Sequence, residues 1–473
     1  MSRSRHAFRL SCLAALLCLG GCATGPDYHG APEVAKDAVR APAFARAPGG
    51  AVDAQAPVAA WWLALHDAQL DALIDQALRD SPDLHAAEAK LRQARASLGQ
   101  EQAQRLPTVG ASAAAAYLET GPGTDQSHLT KLYVTGFDAT WETDLFGGTR
   151  RAIEAAAAQS QAVEADLADA QVSLAAEVAN AYVELRAEQQ RRILVRQIAD
   201  YDSRTLALTR QRRQQGVATA DEVEQAASQL EGTQATLNQV DAAIAAALDQ
   251  LALLTGQAPG ALDASLAAPV PLPALPRTVA VGDPAALIQR RPDVRAAERR
   301  LASSQAQIGE KMADYFPKLT LFGNIGFSAD SATDLFRSGN SMLLGVPYLS
   351  WNFLDFGRTK AAVRGAEAGR DVALAQYESA VLNALHDANG ALSRYGYQRD
   401  SVLKLLAQEA SARHAADLTR QRRVAGTASQ IDLLNAERTL CDVQQNTIAG
   451  QSDLIKDFIA LQKSLGLGWR VAS

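Results

Sequence analysis

From Thr149 to Gln215 the chain runs 67 residues without a proline or a glycine, in a stretch dense in Ala, Leu, Glu, Gln and Arg. Such residues lose little freedom in a helix, and nothing in the run removes a backbone donor. Leu167, Leu174, Val178, Ala181 and Leu185 are spaced 7, 4, 3 and 4, which keeps one apolar stripe on one face. At about 1.5 Å per residue the helix is roughly 100 Å long. That is several times the width of a compact domain, so the helix must line something long.

The chain contains this unit twice. Ser81-Pro82-Asp83-Leu84 returns as Arg291-Pro292-Asp293-Val294, and Pro107 returns as Pro317. Trp141, Phe146 and Gly147 return as Trp351, Phe356 and Gly357. Leu208 to Arg213, followed by Gly216, return unchanged as Leu418 to Arg423, followed by Gly426. Leu251 and Gly256 return as Leu461 and Gly466, and every pair is 210 residues apart. A constant offset over such distances marks a tandem duplication.

The first residues read as an address. Arg3, Arg5 and Arg9 precede an apolar run, Leu10 to Leu19, too short to span a bilayer as a helix, which ends in Leu19-Gly20-Gly21-Cys22. This is the pattern of a lipoprotein signal, residues 1–21, with Cys22 as the lipidated mature N-terminus. Acyl chains contribute about 0.8 kcal/mol per buried CH₂, so more than one gives a durable anchor. Only Cys22 and Cys441 follow the leader, which leaves no intramolecular disulfide if Cys22 is lipidated. No later stretch reads as a transmembrane helix.

Residues 22–80 form an arm and a first short helix, with Pro26, Pro32, Pro42, Pro48 and Pro57 in the arm. Trp61-Trp62 opens that helix, with Leu70, Leu73, Ile74 and Leu78 on one side. The first repeat, 81–256, is then expected as a helix from Pro82 to Gln104, a β-hairpin 108–145, the long helix 149–215 and a return helix 221–254. In the hairpin Tyr133, Phe137 and Trp141 share one strand face, while Asp138, Thr140 and Glu142 share the other. Gly121-Pro122-Gly123 supplies its turn. An apolar face backed by a polar one fits a membrane β-barrel strand pair, with Asp138, Thr140 and Glu142 toward the lumen.

A proline-rich segment, 257–290, joins the copies. The second repeat, 291–466, has the same plan: a helix 292–315, a hairpin 318–355, a long helix 358–425 and a return helix 428–465, with a tail 467–473. Pro347 inside a strand points to an edge, a bulge or a strand end. The pattern gives four strands in two separate hairpins. Four strands cannot close a barrel, and open edges are not tolerated in lipid. Several copies must therefore share one barrel; two would give eight strands and three would give twelve.

With these segments in place the chain resembles the outer-membrane efflux channels of the TolC superfamily, specifically the lipid-anchored OprM/NodT-type branch. The resemblance rests on Cys22 followed by Gly25-Pro26-Asp27-Tyr28, and on Trp62 with Leu70, Leu73 and Ile74. It also rests on Arg290-Arg291-Pro292-Asp293, on Phe316-Pro317, and on Trp141-Glu142 with Asp144-Leu145-Phe146-Gly147. It implies a mainly α chain with a membrane β part. Three copies would build a twelve-strand β-barrel continuing into a twelve-helix tunnel in the periplasm. It implies an outer-membrane exit duct for drugs or other small molecules, a palmitate-bearing lipoprotein of the antibiotic-resistance type. Its partners would be a periplasmic adaptor (membrane fusion) protein and an inner-membrane pump of the resistance-nodulation-division class.

The same resemblance places two functional regions. The loops where the long helices turn back, Gly216-Val217-Ala218-Thr219 and Gly426-Thr427-Ala428-Ser429, would be the periplasmic tips that meet the adaptor. Glycine allows the reversal, and Thr or Ser can cap the returning helix. The narrowest constriction would lie at Ile431, Asn435 and Arg438, spaced i, i+4, i+7 on one helix face. Asn435 stands where relatives carry a carboxylate, so such a ring would bind cations weakly. The first copy has Asp221, Gln225 and Ser228 at the equivalent positions.

No cofactor or catalytic role is expected. The 7 histidines make no metal-ligand pair on a helix, and neither a phosphate-cradling glycine loop nor a Gly-x-Ser-x-Gly elbow occurs. A formal charge of −6 argues against a nucleic-acid surface. Two other functions share some of these features: a channel for type I protein secretion, and a structural periplasmic coiled-coil lipoprotein. The second would leave the apolar hairpin faces unexplained.

Overall fold

The computed structural model describes residues 24–50, 52–120 and 128–469. The leader, Cys22 and the turn Gly121-Pro122-Gly123 lie outside the described residues. The elements are α1 (Lys36–Val39), β1 (Val52–Asp53), α2 (Ala68–Asp80), α3 (Pro82–Ala103), β2 (Thr108–Thr120), β3 (His128–Thr143), α4 (Gly148–Gln214) and α5 (Ala220–Leu254). They continue with α6 (Asp263–Leu266), β4 (Val279–Ala280), α7 (Pro284–Arg290), α8 (Pro292–Ala313), β5 (Lys318–Ala329), β6 (Ser341–Ser350), α9 (Arg358–Val424) and α10 (Gln430–Ser464). Two compact units share the chain. The first holds the described residues up to Pro32, Lys90–Glu164 and Ala296–Glu378; the second holds Glu33–Ala89, Ala165–Arg295 and the described residues from Ser379.

In the first unit the strands form one antiparallel sheet in the order β2-β3-β5-β6. The sequence suggests two separate hairpins, but β3 pairs with β5 from Tyr133↔Ala329 to Thr143↔Leu319, so the hairpins merge. Their seam contains Gly136 opposite Gly326. A Cβ on Gly326 would stand 2.1 Å from the Thr135 carbonyl oxygen, and one on Gly136 would stand 2.6 Å from that of Ile325. Only glycine admits this approach. Pro347 lies opposite Leu321 on β6, which has β5 as its one partner among the described strands, the edge position that a proline in a strand suggests.

Duplication extends to single hydrogen bonds at the base of this sheet. Trp141 Nε1 donates to the Arg105 carbonyl at 3.0 Å, and Trp351 Nε1 to the Tyr315 carbonyl at 2.9 Å. Both long helices start on an aspartate: Asp144 accepts from the Thr149 and Arg150 amides, and Asp355 from those of Gly357 and Thr359. These bonds, chiefly with Thr359, hold the Asp355 carboxyl down at about 2. Behind the sheet, Ser303 of α8 donates to the Ala155 carbonyl of α4 at 2.8 Å. The buried small residues Ala155, Ala158, Ala302 and Ala306 line the same two helices.

The second unit has a conventional apolar core. Trp62, Leu65, Leu70, Ile74, Leu185, Leu251, Leu392 and Ile459 are essentially inaccessible. Trp61 meets Trp62 and Phe458 edge-on, with centroids 5.7 and 6.0 Å away. Each such side chain gains roughly 1.5–3 kcal/mol on burial. The tryptophans do not open one continuous helix. Trp61–Leu65 is a separate 3₁₀ turn, His66 takes a left-handed φ of 52°, and Asp67 caps α2 through the Gln69 and Leu70 amides. Arg186, wholly buried on α4, holds the inter-repeat segment by donating to the Leu266 and Ala268 carbonyls. It also bonds Gln69 and Gln189 and lies over the Tyr182 ring. The arm reaches that segment as well, through the parallel pairing of β1 with β4. Among the described residues no helix is long and apolar enough to cross a membrane.

Candidate functional site

The sheet has two unlike faces. Alternation along β3 puts Tyr133, Phe137 and Trp141 on one face, and the register adds Ala111, Ile325, Leu321 and Leu343 beside them. That face is open: Phe137, Ile325 and Leu343 are 61%, 60% and 82% exposed. Asp138, Thr140 and Glu142 fall on the other face, with Asn324 directly opposite Asp138 and only 7% exposed. Asp138 accepts hydrogen bonds from Ser112 on β2 and Asn324 on β5, and so ties three strands. Glu142 sits near Lys318, which is paired with Asp314 at 3.0 Å. The polar face is not uniformly polar. Phe322, Leu344 and Val346 share it, so alternation is sharp in β3 and blurred in β5 and β6.

The arm is fastened at the base of this sheet. The Thr24 amide and hydroxyl both donate to the Phe146 carbonyl, at 3.1 and 3.0 Å, and the hydroxyl also reaches the Gly309 carbonyl at 3.1 Å. Arg151, the buried fourth residue of α4, donates to the Thr24 and Gly25 carbonyls and to Asp27 at 2.6 Å. The guanidinium beside it keeps the Asp27 carboxyl below its ordinary range. Tyr28 donates to Glu298 at 2.6 Å. Sequence reasoning missed Arg151, although the signal was there: the second repeat has Ala361 at that position.

In the second unit both helix reversals use the same hydrogen bonds. The Gly216 amide returns to the Arg213 carbonyl and the Val217 amide to that of Arg212; Gly426 and Thr427 do the same to Arg423 and Arg422. Gly216 and Gly426 have φ of 76° and 75°, which completes a helix-terminating αL turn. Thr219 and Ser429 then start α5 and α10 with reciprocal capping boxes to Glu222 and Asp432. Ala218 and Ala428 are half-buried, and the other six residues of the two loops are exposed.

Ile431 and Asn435 lie on the first turns of α10, half-buried and exposed respectively. Arg438 is engaged. Its Nε lies 3.2 Å from Asp202 of α4 and its Nη1 3.6 Å from Asp442. Asp202, with a side chain only 5% exposed, also accepts from Thr233 of α5 at 2.7 Å. Three helices meet at this carboxylate. Burial pushes the Asp442 carboxyl up. Asp432 is occupied as a cap, which lowers its pKa, and Glu437 pairs with Arg420. The sequence concealed Asp202, but the repeat again held a sign, because Ala412 and Ser228 stand where Asp202 and Arg438 have their counterparts.

Comparison with known proteins gives these features a common frame. The family described as outer membrane efflux protein matches residues 73–257 and 284–467, one match for each repeat. The outer membrane protein OprJ of Pseudomonas aeruginosa is 31% identical over 98% of this chain and 97% of its own length. The pyoverdine export outer membrane protein OpmQ of the same species is 32% identical over 98% and 97%. The solved outer-membrane channel OprN superposes with a TM-score of 0.83 at 36% identity, covering 95% of this chain and 100% of its own. With both repeats matched and the whole length shared with such channels, the chain belongs to the outer membrane efflux protein family and is a channel rather than an enzyme.

Proposed function

We propose that three copies of this chain form the outer-membrane exit duct of a tripartite efflux assembly. The observation that carries the reading is the four-stranded sheet. Its apolar face suits lipid, its opposite face holds Asp138, Thr140 and Glu142, and its edge strands β2 and β6 each have one partner among the described strands. Lipid does not tolerate such edges. Pairing β6 of one copy with β2 of the next closes a ring, and three copies give twelve strands. The long helices of the three copies then line the periplasmic tunnel.

The tips Gly216 to Thr219 and Gly426 to Ser429 would meet a periplasmic adaptor, which joins the duct to an inner-membrane pump of the resistance-nodulation-division class. Relatives named for antibiotic and toluene efflux support small molecules as cargo. Ile431, Asn435 and Arg438 would form the constriction, with Arg438 acting as a strut to Asp202. A lipid on Cys22 would enter the membrane at the base of the sheet, where Thr24, two residues later, is hydrogen-bonded. Deleting the gene should lower tolerance to antibiotics and organic solvents, and the protein extracted from outer membranes should have three times the mass of one chain. Unchanged tolerance together with a monomeric mass would refute the reading.

A further inference from the structure

The two tips carry the same basic sequence in different surroundings. At the second tip Arg420, Arg422 and Arg423 are all engaged. Arg420 pairs with Asp417 at 2.6 Å and with Glu437, Arg422 donates to the Thr427 carbonyl at 3.4 Å, and Arg423 donates to Gln430 at 3.2 Å. The 210-residue offset places Ala207, Ala220 and Ala227 where Asp417, Gln430 and Glu437 stand. Accordingly Arg210, Arg212 and Arg213 are exposed, and their side chains make no ion pair or hydrogen bond with any described residue. The first repeat keeps the three cations and has lost the two carboxylates that pair with Arg420 and the Gln430 amide that accepts from Arg423.

Other charges at the first tip do not take up the role. Glu222 accepts the Thr219 amide at 2.7 Å in the capping box, and Asp221 accepts from Gln225 at 2.8 Å. Glu224 is exposed on the same turns of α5 and pairs with none of the three arginines. These acids stand at a helix N-terminus and the arginines at a helix C-terminus, each where the peptide dipoles favour its sign. The dipole explains cations at both tips. It does not explain why their partners are missing at only one.

We infer that the first tip is the electrostatic docking point for the periplasmic adaptor, and that the adaptor presents carboxylates to Arg210, Arg212 and Arg213. This rests on the adaptor-docking reading above and adds to it the chemistry and the asymmetry. Free guanidinium forks match carboxylates in a two-bonded geometry, whereas those of the second tip are already engaged. The acidic edge formed by Asp221 and Glu224 repels the same carboxylates, and so fixes which side of the partner faces α4. Exposed pairs of this kind act mostly on encounter rate and orientation, and weaken with salt.

The test uses the purified full-length channel and three probes: a synthetic helical hairpin with glutamates flanking its turn, the same hairpin with glutamines, and phosphatidylglycerol vesicles. The glutamate hairpin should bind about 10-fold more tightly than its glutamine counterpart, equivalent to about 1.4 kcal/mol. That preference should vanish at high salt and in the variant Arg210→Ala, Arg212→Ala, Arg213→Ala. It should also weaken on Ala207→Asp with Ala227→Glu, which keeps the arginines but restores carboxylate partners for Arg210, and it should survive Arg420→Ala, Arg422→Ala, Arg423→Ala. An unchanged preference in the first-tip variants, an equal loss at the second tip, or arginine-dependent binding of the vesicles alone would overturn the inference. Failure of the wild-type channel to co-purify with any adaptor from its host would instead overturn the docking reading beneath it.

Discussion

Replacing Arg438 by methionine keeps most of the side chain's volume and removes its charge. The Asp202 carboxylate, almost wholly buried, would then be left with the Thr233 hydroxyl at 2.7 Å. Breaking a buried ion pair costs about 3–5 kcal/mol. Arg438 is itself 32% exposed, so water already screens part of the attraction, and about 2 kcal/mol is the appropriate figure. At 1.4 kcal/mol per decade, the start of α10 should open roughly 30-fold more often. Amide exchange over residues 430–442 should quicken by that factor, and resting conductance in a planar bilayer should rise. Combining Arg438→Met with Asp202→Asn removes the stranded charge and should recover much of the loss. Exchange and conductance both unchanged in Arg438→Met would refute the strut, and a double variant no better than the single would refute its electrostatic origin.

Three further outcomes are expected. Asn435→Asp should give stronger block by multivalent cations in single-channel recordings, and Ile431→Ala with Asn435→Ala should raise resting conductance; neither change occurring would move the constriction elsewhere. Cys22→Ser should abolish lipid detected by mass spectrometry on the mature N-terminus while leaving the assembled channel in the membrane, whereas an unmodified wild-type terminus elsewhere would count against the anchor. Bulky or charged residues at the half-buried Ala218 and Ala428 should reduce adaptor co-purification without altering the oligomer, and undiminished co-purification would exclude these loops from the contact.

Much of the architecture was legible because long helices announce themselves by what they lack. The run without proline or glycine ends at Gly216, and the structure turns there on a left-handed φ. The merging of the hairpins through β3 and β5 was not legible, since a pairing between residues as distant as Thr143 and Leu319 leaves no local pattern. Nor was the break at His66, a non-glycine residue at positive φ that tertiary packing imposes. At the functional regions the signal lies where the two repeats differ. Arg151 against Ala361, Asp202 against Ala412, and Asp417 against Ala207 are departures from symmetry, and each marks a contact made in one copy only.

The membrane sheet is the centre of this account, and adjacent residues on β3 test it most directly. Phe137 and Asp138 point to opposite faces, and a slip of one residue would put carboxylates into lipid at a cost of several kcal/mol. Single cysteines at these positions, in the channel held in its native outer membrane, can be labelled with a lipid-soluble and a water-soluble maleimide. Position 137 should react with the lipid-soluble reagent and position 138 with the water-soluble one. The reverse pattern, or equal labelling of both positions by the water-soluble reagent, would contradict a sheet that faces lipid on one side and a water-filled lumen on the other.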